Sequence, residues 1–280
     1  MTSPTPFGAR LHAALAARGH LCAGIDPHAA LLAEWGLDDD VAGLERFALT
    51  AVEALAPVAP VVKPQSAFYE RFGSRGVAVL ERVVTESRAA GALVLLDVKR
   101  GDIGSTSQAY ADAYLDPASP LGADAVTVSP YLGFGSLDPF VDTARIHGGG
   151  LFVLALTSNK EGPEVQHART DDGATVAGRV LRRLGELNAG ADPLGSFGAV
   201  VGATIGSPPE GVDLSFHGPV LAPGYGAQGG TTADLVRIFG AASGAVLAST
   251  SRELLRAGPD VAALADAARR TTDELAGLRG

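Results

Sequence analysis

Eight short apolar runs, rich in β-branched residues, alternate along the whole chain with Ala-rich stretches of helical periodicity. No other feature restricts the possible folds as strongly. The runs lie at 21–25 (LCAGI), 59–63 (APVVK), 92–98 (ALVLLDV), 124–128 (DAVTV), 150–156 (GLFVLAL), 198–204 (GAVVGAT), 219–222 (PVLA) and 244–249 (GAVLAS). A helical pattern over 7–18 precedes them. Others fill 41–56, 76–90, 105–115, 136–146, 174–189 and 231–240, with a short turn near 208–214 and a last stretch over 251–278 split near Gly258-Pro259. The runs are apolar on both faces, as parallel strands covered by helices must be. Strict alternation of this kind predicts an α/β fold with a parallel sheet. Eight βα units in about 250 residues match a (β/α)8 TIM barrel; a doubly wound sheet is the competing arrangement. The chain carries no internal repeat and no Pro/Ser-rich linker. Residues 1–280 are therefore expected to form a single barrel domain with an extra N-terminal helix, and the polar stretch 157–173 is expected to be a long surface loop.

Composition excludes several classes of function. With 46% apolar and 19% charged residues, the chain is too apolar for a disordered protein. A net charge of −9 argues against nucleic acid, which needs a basic footprint, but not against a small phosphorylated ligand held by one or two cations. Cys22 is the one cysteine, so no intramolecular disulfide and no Cys-rich metal site can form. His12, His20, His28, His147, His167 and His217 show neither an H-x-H nor an H-E-x-x-H spacing, and are expected to be packing or surface residues. No apolar run approaches the ~20 residues of a membrane span. No secretory leader pattern opens the chain. A soluble, cytoplasmic setting is the expectation.

Lysine is scarce here. Of 22 basic residues only Lys63, Lys99 and Lys160 are Lys; the other 19 are Arg. A position that keeps Lys in such a chain suits a need Arg cannot meet, a compact ammonium able to give up its proton. Two of the three fall at predicted strand ends, where barrel chemistry collects. The second strand ends in Lys63. The third delivers Asp97 and Lys99, two apart and so on one face of the strand, followed by Asp102 just past its end. Together they would form an alternating array of two ammoniums and two carboxylates. Such charges are costly to desolvate singly and tolerable when each has opposite partners. The first strand adds Asp26 before Pro27, the fifth Ser158, and the eighth Arg252.

After the seventh strand, Gly224, Gly226 and Gly229 spell G-x-G-x-x-G. A dinucleotide site would want that motif after an early strand with an acid about 20 residues on, and neither condition is met. The loops after strands seven and eight are instead the usual barrel phosphate site, where glycines let backbone N–H groups approach phosphate oxygens. Arg252, opening the next helix, would add a charge-assisted contact. Gln228 could fold over a ligand on glycine hinges. No G-x-S-x-G elbow supports a serine hydrolase.

These residues, in this order, resemble the orotidine 5′-phosphate decarboxylase family, in the branch common in actinobacteria. The resemblance rests on Gly24-Ile25-Asp26-Pro27, Val62-Lys63-Pro64-Gln65, the D-x-K-x-x-D run of Asp97, Lys99 and Asp102 followed by Ile103 and Thr106, Ser129-Pro130-Tyr131, Thr157-Ser158-Asn159, and Pro223 to Gly230. It implies a homodimeric barrel that converts orotidine 5′-phosphate to UMP and CO2 with no metal or organic cofactor. By motif, Lys99 would be the proton donor to C6, with Asp97 beside the departing carboxylate. Lys63 and Asp102 would complete the charged tetrad, and Asp102 and Thr106 would reach into the neighbouring subunit's site. Asp26 and Lys63 would touch the ribose, and Ser158 would read the pyrimidine amide. Gln228, with Gly229 beside it, would bridge base and phosphate, and Arg252 would hold the phosphate. Two departures stand out: Gly104 where many members carry Pro, and Ser249-Thr250-Ser251-Arg252 closing the eighth strand rather than Gly-Arg. The alternative is a metal-dependent 3-keto-sugar-phosphate decarboxylase or hexulose-phosphate synthase, which shares D-x-K-x-x-D but needs carboxylates on Mg²⁺ where this chain has Lys63.

Overall fold

A computed structural model describes residues 4–278. Helix α1 (Phe7–Arg18) leads into β1 (Leu21–Ile25), α2 (Ala29–Glu34) and α3 (Val41–Leu55). Then follow β2 (Val61–Pro64), α4 (Ala67–Glu70), α5 (Gly73–Ala89), β3 (Leu93–Arg100) and α6 (Gly104–Leu115). Next come β4 (Ala125–Val128), α7 (Asp138–His147), β5 (Gly150–Leu156), α8 (Pro163–Gln166) and α9 (Val176–Asn188). The chain ends with β6 (Phe197–Val201), β7 (Val220–Pro223), α10 (Thr232–Phe239), β8 (Val246–Thr250), α11 (Arg252–Leu255) and α12 (Val261–Glu274). The eight strands pair in parallel, in sequence order, and β8 closes on β1. The sheet is therefore a closed barrel, not a doubly wound sheet.

Local chemistry sets the helix starts. Asp40 accepts a bond from Gly43 N at 2.8 Å, Thr175 from Gly178 N at 3.0 Å, and Asp260 from Ala263 N at 2.7 Å. Thr231 and Asp234 form a reciprocal capping box on α10. Between β6 and β7 the chain has no helix, in keeping with the short turn expected near 208–214. Residues 202–219 hold Gly202, Gly206, Gly211, Pro208, Pro209 and Pro219, which leave no run long enough to propagate a helix, and the segment crosses as turns. The 157–173 loop is mostly irregular but contains the one-turn α8. Helices α2 and α4 follow β1 and β2 unannounced by the sequence pattern, each too short to show a periodicity.

Two apolar layers hold the barrel. The larger lies between strands and helices. The smaller fills the barrel itself, with Cys22, Val61, Leu95, Ala125, Phe152, Leu221 and Leu247 pointing inward over Phe7 and Leu11 of α1. Helix α1 thus plugs the N-terminal mouth. Phe7 is fully buried and meets Phe152 edge-on, with ring centroids 6.0 Å apart at 84°. A Cβ at Gly150 would fall 2.3 Å from the Phe7 ring, so the glycine makes room for the plug. Arg10 fastens the helix to buried Asp124 and donates to Gly148 O at 2.9 Å. Phe7→Ala is expected to cost about 3–5 kcal/mol in urea unfolding, because it opens a cavity in a closed layer. Its effect on substrate KM should be small, since Phe7 lies at the opposite end of the barrel from the site described next.

Candidate active site

The inward stripe of the barrel changes character two residues further along four of the strands. Val61 is followed by Lys63, Leu95 by Asp97, Ala125 by Thr127 and Leu247 by Ser249, and all four later residues line a cavity of about 320 Å³ at the C-terminal mouth. Side chains alternate with period two, so the apolar floor and the polar site are successive layers of one stripe.

Asp97 is the hub. Lys99 Nζ lies 2.7 and 2.8 Å from its two carboxylate oxygens, and Lys63 Nζ lies 3.2 Å from Oδ2. Thr127 Oγ1 donates to Oδ1 at 2.7 Å and accepts from the Lys99 backbone N–H at 2.9 Å. Burial by itself would raise the Asp97 carboxyl, but Lys63, then Lys99, and the hydrogen bonds outweigh it and hold it well below the usual carboxylate range. Burial would likewise lower Lys63. Asp26 and Asp97 outweigh it and raise the lysine above its ordinary value. Both groups are therefore charged across the neutral range, although their side chains are only 7% exposed. Lys99 differs in being 44% exposed, its ammonium facing the cavity. One layer below, the Cys22 thiol is pushed up to about 12 by burial, against the opposing field of Lys63, so it is a neutral wall atom and no nucleophile.

Lys99 also stands in a left-handed backbone conformation, φ +47°, at a point where the β3–β4 register shifts between Leu96 and Arg100. A lysine there is strained, and such residues persist where their surroundings over-determine them. The kink re-aims the ammonium back over Asp97, and Thr127 fixes the backbone that makes it.

Buried Asp26, at the exit of β1, accepts from Gln65 N at 3.2 Å. Across the mouth, Gly226 N bonds Gly230 O at 2.9 Å and Gly230 N bonds Gly224 O at 3.1 Å, making the loop after β7 a compact turn. Gly226 has φ +71°, a left-handed conformation that favours glycine, and a Cβ there would also push the Glu253 carboxylate, 1.9 Å away, aside. Tyr225 anchors the loop through its hydroxyl to Thr232 Oγ1 at 3.2 Å. Gln228 folds back towards Gly224 and lines the cavity. Arg252, opening α11, lines it too and has no ion-pair partner among the described residues, so a ligand anion would meet an uncommitted guanidinium.

The structure thus gathers Lys63, Asp97, Lys99, Asp26, Gln228 and Arg252 around one cavity. It does not bring in the others. Asp102 stands beyond the end of β3 with its carboxylate on Ile103 N at 2.8 Å, so the two-plus-two array is only a triad within one chain. Thr106 is exposed on the first turn of α6, Ser158 is exposed beyond β5, and Gly229 sits on the outer side of its loop; none lines the cavity. Sequence reasoning also missed Thr127 and His28. Thr127 could have been found as the polar residue breaking an apolar strand in register with Asp97. His28 carried only its closeness to Asp26.

Residues 19–267 match the model of the orotidine 5′-phosphate decarboxylase / HUMPS family. The chain is 74% identical over 274 residues to the orotidine 5′-phosphate decarboxylase of a Nocardioides species, covering 96% of this chain and 98% of that one. It is 64% identical to the Streptomyces coelicolor enzyme of the same name, with 96% and 97% covered. A crystal structure from Streptomyces avermitilis, of a protein provisionally described as this decarboxylase, superposes with a TM-score of 0.96 at 62% identity over 99% of this chain and 97% of that one. The Leishmania donovani OMP decarboxylase gives a TM-score of 0.75 at 30% identity over 98% and 99%. The chain belongs to the orotidine 5′-phosphate decarboxylase / HUMPS family.

Proposed function

We propose that this cavity decarboxylates orotidine 5′-phosphate to UMP and CO2, with Lys99 as the proton donor to C6, and that a second copy of the chain completes each site. The reading is carried by the row of buried Lys63, buried Asp97 and half-exposed Lys99, fixed before any substrate arrives. The reaction breaks the C6–carboxylate bond and leaves its electron pair on an sp2 carbon with no conjugated sink. CO2 departs. A preorganised ammonium at that carbon stabilises the developing charge and then delivers a proton to it, leaving a neutral amine that regains a proton from solvent. Arg could not do this, because its guanidinium does not release a proton near neutral pH. Asp97, held ionised by two lysines, sits where the substrate carboxylate would lie, so its charge opposes the reactant more than the transition state.

The remaining groups bind. Asp26 and Lys63 take the ribose hydroxyls, and Arg252 takes the phosphate. Gln228 bridges base and phosphate from the Gly-rich loop with Gly229 at its bend, and Ser158 reads the pyrimidine amide from the rim. Binding energy gathered at the phosphate, far from C6, is available to order these loops.

The dimer accounts for Asp102 and Thr106, which face away from their own cavity at the start of α6. Exposed Ile103, Tyr131 and Leu132 lie on the same and the neighbouring loop, with 62%, 77% and 53% of their surfaces open. Large apolar side chains of this kind are the usual anchors of a protein interface. A second subunit laid over them would carry its own Asp102 towards this cavity.

A metal-dependent sugar-phosphate reaction on the same barrel fits less well. The buried cation Lys63 separates Asp26 from Asp97, and among the described residues no group of three or more His, Cys, Asp or Glu could hold a metal ion. Purified protein mixed with orotidine 5′-phosphate is expected to bleach the orotate absorbance band, at an unchanged rate after dialysis against EDTA. Loss of all turnover on chelation, restored by Mg²⁺, would transfer the site to the metal-dependent class.

A further inference from the structure

We propose that His28 is a substrate-binding residue at the phosphate end of this cavity, its imidazole sharing the ligand's phosphate monoester with Arg252. The inference rests on the functional reading above and adds a residue to it.

Placement comes first. His28 lies two residues beyond Asp26. Its backbone N–H donates to Asp26 O at 2.8 Å, closing a tight turn over Pro27. Its carbonyl accepts from Leu31 N at 2.9 Å and Leu32 N at 3.1 Å, which starts α2. The backbone is therefore fixed on both sides. The ring packs on Phe68, with centroids 4.2 Å apart at 59°, so one side rests on an aromatic wall of the next βα unit. The half-buried ring lines the same cavity as Arg252. Strands β1 and β8 are hydrogen-bonded neighbours, with Ala23 opposite Thr250, and their exit loops place His28 and Arg252 on one side of the mouth.

Charge comes second. Three charged groups face the imidazole: Asp26 from β1, Arg252 from α11 and Arg71 from the end of α4. Burial lowers the imidazole below its ordinary value; Asp26 opposes this, and the two arginines add to it. Burial and the two arginines thus disfavour the imidazolium in the empty protein. A phosphate dianion against Arg252 reverses that balance. It cancels one arginine's field and sets two negative charges beside the ring, which favours the imidazolium with its two donors. Phosphate binding is therefore coupled to uptake of a proton at His28. By linkage the imidazole's contribution grows as pH falls towards 6 and fades above pH 8. This gives His28 a pH-dependent role that the backbone of the Gly-rich loop cannot fill.

The test is calorimetric titration of wild type, His28→Asn and His28→Gln with UMP and with uridine, at pH 6.2 and pH 8.5. A charge-assisted contact at a half-exposed site should make UMP binding to His28→Asn about five- to ten-fold weaker than wild type at the lower pH. The ratio should fall towards one at the higher pH. The ligand's own second ionisation near pH 6 is common to both proteins and cancels in the ratio. His28→Gln keeps a neutral donor, so it should match wild type at pH 8.5 and still lose the gain at pH 6.2. Uridine, without the phosphate, should bind all three proteins alike. Thermal melts of the variants should match wild type, since the ring is half-exposed. A ratio that does not change with pH, or an equal loss for uridine, overturns the assignment while leaving wild-type turnover of orotidine 5′-phosphate intact. Wild type that neither turns over that substrate nor binds UMP removes the functional reading and this assignment together.

Discussion

Lys99→Ala is expected to lower kcat by about 10⁵-fold, the product of a typical general-acid contribution and a typical electrostatic one. The residue is half-exposed, so its removal leaves little void. Asp97 keeps Lys63 at 3.2 Å and Thr127 at 2.7 Å, so the carboxylate stays paired and the barrel stays folded. On the proposed mechanism, what disappears is the positive charge facing C6 and the proton it carries. UMP binding, measured by calorimetry, should remain within a few-fold of wild type, because the product carries no charge at C6. Lys99→Arg should be nearly as inactive: it restores the charge but holds its proton, and a planar fork does not fit where a compact ammonium sat. The check is the decay of the orotate absorbance band over hours at high enzyme concentration. A residual rate above about one hundredth of wild type in Lys99→Ala would show that another group supplies most of the barrier reduction, and would remove Lys99 from its role.

That lysine marks both the reach and the limit of the sequence. Its scarcity in an Arg-rich chain, with its place two residues after Asp97, was enough to single it out. The period-two rule put both side chains on one face, and they do meet. They meet, however, through a left-handed residue and a register shift that no periodicity encodes. The Lys99 N–H at that residue is held by Thr127, on a different strand, and contacts between strands are invisible to a reading made along the chain. The eight strands themselves were plain because parallel strands buried on both faces leave continuous apolar runs. The lack of a helix after β6 was legible too, as a short turn near 208–214, from seven Gly and Pro residues between 202 and 219. His28 reads like the other histidines, because nothing in its local sequence says which way the ring turns. Only the closure of β8 on β1 brings it to the side of Arg252. Asp102 is the converse case. Its spacing placed it with the triad, yet within one chain it lies outside.

That position yields the sharpest test of the assembly. Lys99→Ala and Asp102→Ala homodimers should each be nearly inactive. If the carboxylate acts across the interface, a mixed dimer carries one site with both defects and one site with neither. The intact site belongs to the chain bearing Asp102→Ala, which keeps its own Lys99 and borrows Asp102 from the partner. Random assembly makes half of the dimers mixed, so co-expressed and co-purified variants should recover about one quarter of the wild-type rate from two nearly dead proteins. Differently tagged chains allow the mixed species to be isolated, and it should run at about half the wild-type rate per dimer, following from one working site in two. If Asp102 instead served its own cavity, each chain of the mixed dimer would hold one defect in its own site and no activity would return. Recovery therefore depends on geometry between subunits and not on the strength of any single contact. It discriminates because Lys99 and Asp102 are only three residues apart in the chain, yet Asp102 points out of the cavity that Lys99 faces.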